Sequence, residues 1–216
     1  MDFQGDFPAA PARPRPVAAV IVPAILVATC LLAAALSPAA SEWFYAATVL
    51  SALVLVGAWW MFGDRRITGR KKVLIDASRG LLAGLLLTAI FALGALAIRQ
   101  IPPLAGPVND LLSNAAGDAV LLTLAVTAIN GVAEELFFRD TVPRHWAGLG
   151  HWAWLASLGL YVAVTAFMLV PLLAVAAVSV GVVAHYEVAR TGGLVSAISM
   201  HLSWSAAMIF VLPAVL

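Results

Sequence analysis

From Val17 onward the chain is a series of long apolar runs separated by short polar ones. Val17 to Leu36, Trp43 to Phe62 and Gly80 to Ile98 contain no charged side chain. An α-helix rises about 1.5 Å per residue, so a run of roughly 20 residues crosses about 30 Å of hydrocarbon. Four more runs follow: Ala119 to Phe138, with two acids near its end, Trp152 to Pro171, Leu172 to Ala189, and Leu194 to Val215. The break between the second and third of these falls at Val170-Pro171. The runs do not alternate with period two, which argues against the strands of a membrane barrel. The pattern predicts an all-α, polytopic membrane bundle of about seven transmembrane helices.

Ahead of the first run, MDFQGDFPAAPARPRP is Pro-rich and too poor in apolar residues to pack. It reads as an extended tail over residues 1–16, leaving 17–216 as a single helical membrane domain. The first run is longer than the apolar part of a secretory signal and reads as a retained anchor. Basic residues are held on the cytoplasmic side of membranes. With a cytoplasmic N-terminus, Arg13, Arg15, Arg65, Arg66, Arg70, Lys71, Lys72, Arg79, Arg139, Arg144 and Arg190 all fall inside, and Arg99 falls outside.

Composition agrees with this pattern. The chain is 63% hydrophobic and 11% charged, against about 45–50% and about 25% for a soluble domain, so a soluble fold is excluded. Twelve Lys and Arg against eleven Asp and Glu leave no basic field for nucleic acid. Cys30 is the one cysteine, so neither a disulfide framework nor a cysteine metal cluster is available. The Ala-rich, Trp-containing composition suits an integral protein of a bacterial plasma membrane, with lipids as its surroundings.

Ionisable groups inside apolar spans are costly, which makes each a functional candidate. Here they are Glu134 and Glu135 in AINGVAEELFFRD, His185 and Glu187 in VVAHYEVAR, and His201 in ISMHLSWS. Adjacent helical residues point about 100° apart, so the two glutamates serve different contacts. Glu135 and Arg139, at i and i+4, share a face and can pair. Glu134 then faces the bundle with Asn130 one turn earlier, placed to act as a general base toward water. The alternative makes the pair the cytoplasmic boundary of a helix, with Glu135 and Arg139 reaching outward.

By helix rise, Glu134 and His201 lie at similar depths, roughly 7–8 and 10 Å from the same end, on helices running in opposite directions. The histidine can then assist Glu134, or it can be a core residue bonded to Ser199, Ser203 or Ser205. His185 and Glu187, two apart, point to opposite sides of a helix, and Glu187 beside Arg190 reads as interfacial. His145 and His151, among Trp146, Trp152 and Trp154, read as interface anchors. Arg190 to Leu194, RTGGL, reads as a turn and not a phosphate loop.

EELFFRD, RTGGL and the histidine of ISMHLSWS together resemble the CAAX-protease and bacteriocin-processing family of intramembrane endopeptidases, also called Abi, over about residues 118–212. That family carries EExxxR, FxxxH and HxxxN in a bundle of membrane helices. The first motif is complete as Glu134, Glu135 and Arg139, and the third is present in part, with His201 followed by Ser205 in the asparagine position. In the second, Tyr161 stands for Phe and Thr165 for His. His185, toward the cytoplasmic end of the next span, is a candidate to fill that place.

The resemblance implies hydrolysis of a peptide bond near the cytoplasmic membrane face, in a membrane-associated peptide or protein. Glu134 would activate water, Glu135 and Arg139 would hold its charge and orientation, and His201 would stabilise the oxyanion or serve as acid. No cofactor is required, although Glu and His would suit a divalent metal. Two other classes compete: a catalytically degenerate binding or immunity protein of the same fold, and a small transporter with Glu134 as proton carrier.

Overall fold

The computed structural model describes residues 16–69 and 72–216. Arg13, Arg15, Arg70 and Lys71, and the Pro-rich head up to residue 15, lie outside the described residues. The helices are α1 (Ala18–Ala35), α2 (Glu42–Phe62), α3 (Val73–Ile98), α4 (Pro102–Leu112), α5 (Val120–Glu135), α6 (Val142–His145), α7 (Ala153–Thr165), α8 (Pro171–Thr191) and α9 (Val195–Val215). Among the described residues there is no strand, and seven helical stretches are long and apolar enough to span a bilayer. The protein is an integral, multi-pass membrane protein.

The breaks follow local chemistry. Ser41 caps α2 by accepting a hydrogen bond from the Phe44 amide. Proline disfavours a helical predecessor, so Val170 is extended and Pro171 opens α8, after Leu169 has turned the chain at φ +58°. The split expected at Val170-Pro171 therefore falls where the sequence placed it. Gly192 ends α8 at φ +73°, a conformation that glycine adopts without strain. Two features go beyond the apolar runs. α3 begins at Val73, seven residues ahead of its uncharged stretch, and the amphipathic α4 is inserted between α3 and α5.

α5 lies between two groups of three helices. On one side, Leu55 of α2, Val20 and Val27 of α1, and Tyr161 of α7 pack with Phe137 and Phe138. On the other, Leu87 of α3, Val180 of α8, and Met200 and Trp204 of α9 form a second core. α3 and α9 touch most closely: a Cβ on Gly80 would strike the Ser196 carbonyl, and one on Gly84 would strike Ser203 Oγ and the Met200 carbonyl. This is a small-xxx-small contact, in which missing side chains let two membrane helices approach. The outer surface is apolar, with Leu53, Leu82, Leu121 and Phe210 exposed.

The bundle has two distinct ends. At one, Asp64 after α2 pairs with Arg144 of α6 at 3.2 Å, and the Leu194 amide before α9 donates to the Ile67 carbonyl at 2.8 Å. There the backbones of Gly69 and Gly193 meet so closely that neither position has room for a Cβ. RTGGL is thus a docking turn. At the other end, Asn114 accepts from the Ala40 amide and Tyr45 Oη donates to the Asn114 carbonyl.

Candidate functional site

α5 does not continue as an α-helix past Glu135. Residues Leu136–Thr141 form a π-helical turn, a local widening often found at functional sites. All six of its side chains are buried. Asp140 reaches the end of α2, accepting from Trp59 Nε1 and the Asp64 amide, each at 2.9 Å, and pairing with Arg144. The Phe138 carbonyl is taken up by Ser157 Oγ of α7.

The two glutamates diverge as their spacing requires. Glu135 Oε2 lies 3.2 Å from Arg139 Nε, and both side chains are 0% exposed. The pair does not reach outward to an interface, so the boundary alternative fails: these charges are sealed inside the bundle. A buried ion pair needs further contacts to offset its desolvation. Glu135 Oε1 accepts from His201 Nδ1 at 2.8 Å, and the guanidinium lies 4.4 Å from the centre of the Tyr161 ring as a cation–π contact.

Glu134 is different, with 22% of its side chain open to a cavity. Its Oε2 accepts from Tyr161 Oη at 2.8 Å and lies 3.9 Å from His201 Nε2. His201 therefore has one nitrogen fixed on Glu135 and the other turned toward Glu134. It is not bonded to a serine: Ser199 Oγ donates to the Ala77 carbonyl and Ser203 Oγ to that of Met200. The structure thus brings together Glu134, Glu135, Arg139 and His201 from α5, the π-turn and α9, and adds Tyr161 from α7.

The cavity, of about 520 Å³, is lined by Glu134, Tyr161, Thr165, His201 and Ser205, then by Asn130, Thr127 and Thr123 among many apolar residues. Thr165 and Ser205 occupy the wall where the motifs of the resemblance have His and Asn. His185 does not fill that place. Its Nδ1 is bonded to the Gly181 carbonyl at 2.8 Å, its ring lies 6.0 Å from that of Trp154, and it is absent from the cavity wall. Glu187 is buried and not interfacial, accepting from Ser196 Oγ at 2.6 Å while lying 3.6 Å from Arg190.

Among the described residues, no group of three or more His, Cys, Asp or Glu is placed to hold a metal ion. Glu134 and His201 Nε2 offer two donors, and the neighbouring wall offers hydroxyls. This donor set does not fit a divalent transition metal.

Tyr161 is the member that sequence reasoning missed. It was visible only as a replacement for Phe, whereas its hydroxyl is what reaches Glu134. A phenol one helix away from a buried acid was the available signal.

Residues 116–207 match the family model described as type II CAAX prenyl endopeptidase, Rce1-like. Over that segment the chain is similar to the CAAX-protease family, the resemblance its motifs carry. No curated protein and no solved structure matches the chain.

Proposed function

We propose that the protein is an intramembrane endopeptidase that hydrolyses a peptide bond in a membrane-associated peptide, with Glu134 activating water. The observation behind this reading is the unequal treatment of the two glutamates. Glu135 is sealed against Arg139, while Glu134 opens on a cavity beside Tyr161 and His201.

Glu134 Oε2 and His201 Nε2, 3.9 Å apart, are too far for a direct hydrogen bond and near enough for one water to bond both. In the proposed reaction, Glu134 takes a proton from that water as its oxygen attacks the carbonyl carbon. His201 Nε2 faces the developing oxyanion, and Tyr161 Oη holds the carboxylate in place. Collapse of the intermediate breaks the C–N bond, and the proton on Glu134 passes to the leaving amine. Glu135 and Arg139 position His201 and Tyr161.

His201 follows the start of α9 by six residues, roughly 9 Å of helix, so the chemistry lies nearer the arginine-bearing end in depth. A binding protein with the same cavity and no chemistry is the competing reading, favoured by Thr165 and Ser205 in the wall. Cleavage of a membrane-tethered peptide library in proteoliposomes, read by mass spectrometry, tests both. Products from the wild type that vanish in Glu134→Gln support the peptidase. Their absence from the wild type and their appearance in Thr165→His support the binding protein.

A further inference from the structure

Helical serines and threonines in this bundle find partners by two routes. Thr29, Thr48, Thr88, Ser179 and Thr191 each donate to the carbonyl four residues back in their own helix, which satisfies a hydroxyl without water. Ser51, Ser157, Ser196 and Ser199 bond across to neighbouring segments. Among the described residues, Thr127, Thr165 and Ser205 are the helical hydroxyls that make no hydrogen bond, and all three line the cavity of Glu134.

Each has a carbonyl one turn back that it does not take. Other polar groups of the wall are occupied: Asn130 accepts from Ser51 Oγ and donates to the Val126 carbonyl, and Thr123 Oγ1 donates to the Asn114 carbonyl. The three free hydroxyls are also placed regularly. Thr165 follows Tyr161 by one turn on α7 and Ser205 follows His201 by one turn on α9, each roughly 6 Å along the helix. Thr127 precedes Glu134 by two turns on α5, roughly 10 Å. Because α7 and α9 run against α5, all three lie on the same side of the Glu134, Tyr161 and His201 contacts.

We propose that these three hydroxyls form a peptide-binding subsite, taking backbone N–H and C=O groups of the chain being cut on one side of the bond that Glu134 attacks. A hydroxyl both donates and accepts, so it suits either group. An extended peptide advances about 3.3 Å per residue, which puts the two levels about two and three residues from that bond. Within a bilayer such backbone groups need partners supplied by the protein. That the hydroxyls are kept for a ligand rests on the hydrogen-bond pattern; that the ligand is a peptide rests on the endopeptidase reading. A hydroxyl without a partner contributes nothing to the empty fold, so its loss weakens binding and spares stability.

Thr127→Val, Thr165→Val and Ser205→Ala are made in Glu134→Gln protein, where the general base is gone. In proteoliposomes each meets the membrane-tethered peptide library carrying a benzophenone, and capture on illumination is followed by mass spectrometry against peptide concentration. Melting is followed in detergent without peptide. The half-saturating concentration is expected to rise roughly three- to tenfold in each variant, the effect of one lost hydrogen bond, and to multiply in the Thr165→Val, Ser205→Ala double variant. Thr165→Ser restores the parent value, Thr29→Val outside the wall leaves capture unchanged, and melting temperatures equal or exceed the parent's. Capture that none of the three substitutions weakens overturns the subsite alone, as does a melting temperature that falls in step with capture. Failure of the parent to capture any peptide overturns the endopeptidase reading and this occupant together.

Discussion

Glu135 and His201, 66 positions apart in the chain, are joined by a 2.8 Å hydrogen bond from Nδ1 to Oε1. That bond fixes the imidazole plane and so decides where Nε2 points. It also ties α9 to α5 through a carboxylate already paired with Arg139. The adjacent Glu134 makes no comparable structural pair, which separates the two acids experimentally.

Glu135→Ala leaves the Arg139 guanidinium buried without its carboxylate, a loss of about 3–5 kcal/mol. Glu134→Gln keeps shape and retains an acceptor for Tyr161, so stability changes by less than about 1 kcal/mol, while removal of a general base lowers turnover by roughly 10²–10⁴-fold. Thermal unfolding in detergent beside peptide cleavage checks this. Equal stability losses at both positions would count against distinct roles.

Tyr161→Phe removes one hydrogen bond to a carboxylate, a contact worth about 1.5–3 kcal/mol. The ring still stacks under Arg139, so the protein stays folded with a melting temperature lower by several degrees, and kcat is expected to fall tenfold or more. Adding Thr165→His to Tyr161→Phe recreates the FxxxH pattern of the family, and recovery of cleavage by the double variant is the expected outcome.

Gly84→Val on α3 pushes a branched side chain against the Met200 carbonyl and Ser203, and backbone atoms cannot step aside. Overpacking of this kind costs about 1–3 kcal/mol or more. Since α9 must move away, His201 moves with it, so cleavage should fall along with stability. Gly159→Val on α7, outside the cavity wall and where a Cβ would meet nothing within 4 Å, is the control and should be nearly silent.

Asp140→Ala strands the buried Trp59 indole N–H, removes the acceptor of the Asp64 amide, and leaves Arg144 paired with Asp64 alone. An unsatisfied buried donor costs about 1–3 kcal/mol. The melting temperature should drop by several degrees, and the backbone amides of Asp64 and its neighbours should exchange hydrogen faster by mass spectrometry.

The parts legible in the sequence were those governed by local rules. Twenty-residue apolar runs must span, so seven spans were readable, and the Val170-Pro171 break follows from proline sterics at that one dipeptide. Helix rise alone brought Glu134 to the depth of His201, and i, i+4 spacing joined Glu135 to Arg139. What stayed hidden depends on partners far along the chain. The Tyr161 hydroxyl and Glu134 are 27 residues apart, and Trp59 and Asp140 are 81 apart. Gly80 and Gly84 show their purpose only against α9. The lining of the cavity depends on how all the spans are arranged, which no single run encodes.

The widened turn at Leu136–Thr141 lets one membrane span answer to two masters. Before it, α5 turns its threonines, Asn130 and Glu134 toward the cavity; within it, the same backbone aims Asp140 at the end of α2. A continuous α-helix advances about 100° per residue without interruption, so the angular phase of its lower half would be dictated by its upper half. The loosened turn acts as a gearbox between them. Substitution can then alter the cavity face while the anchoring face keeps its own registration with the rest of the bundle.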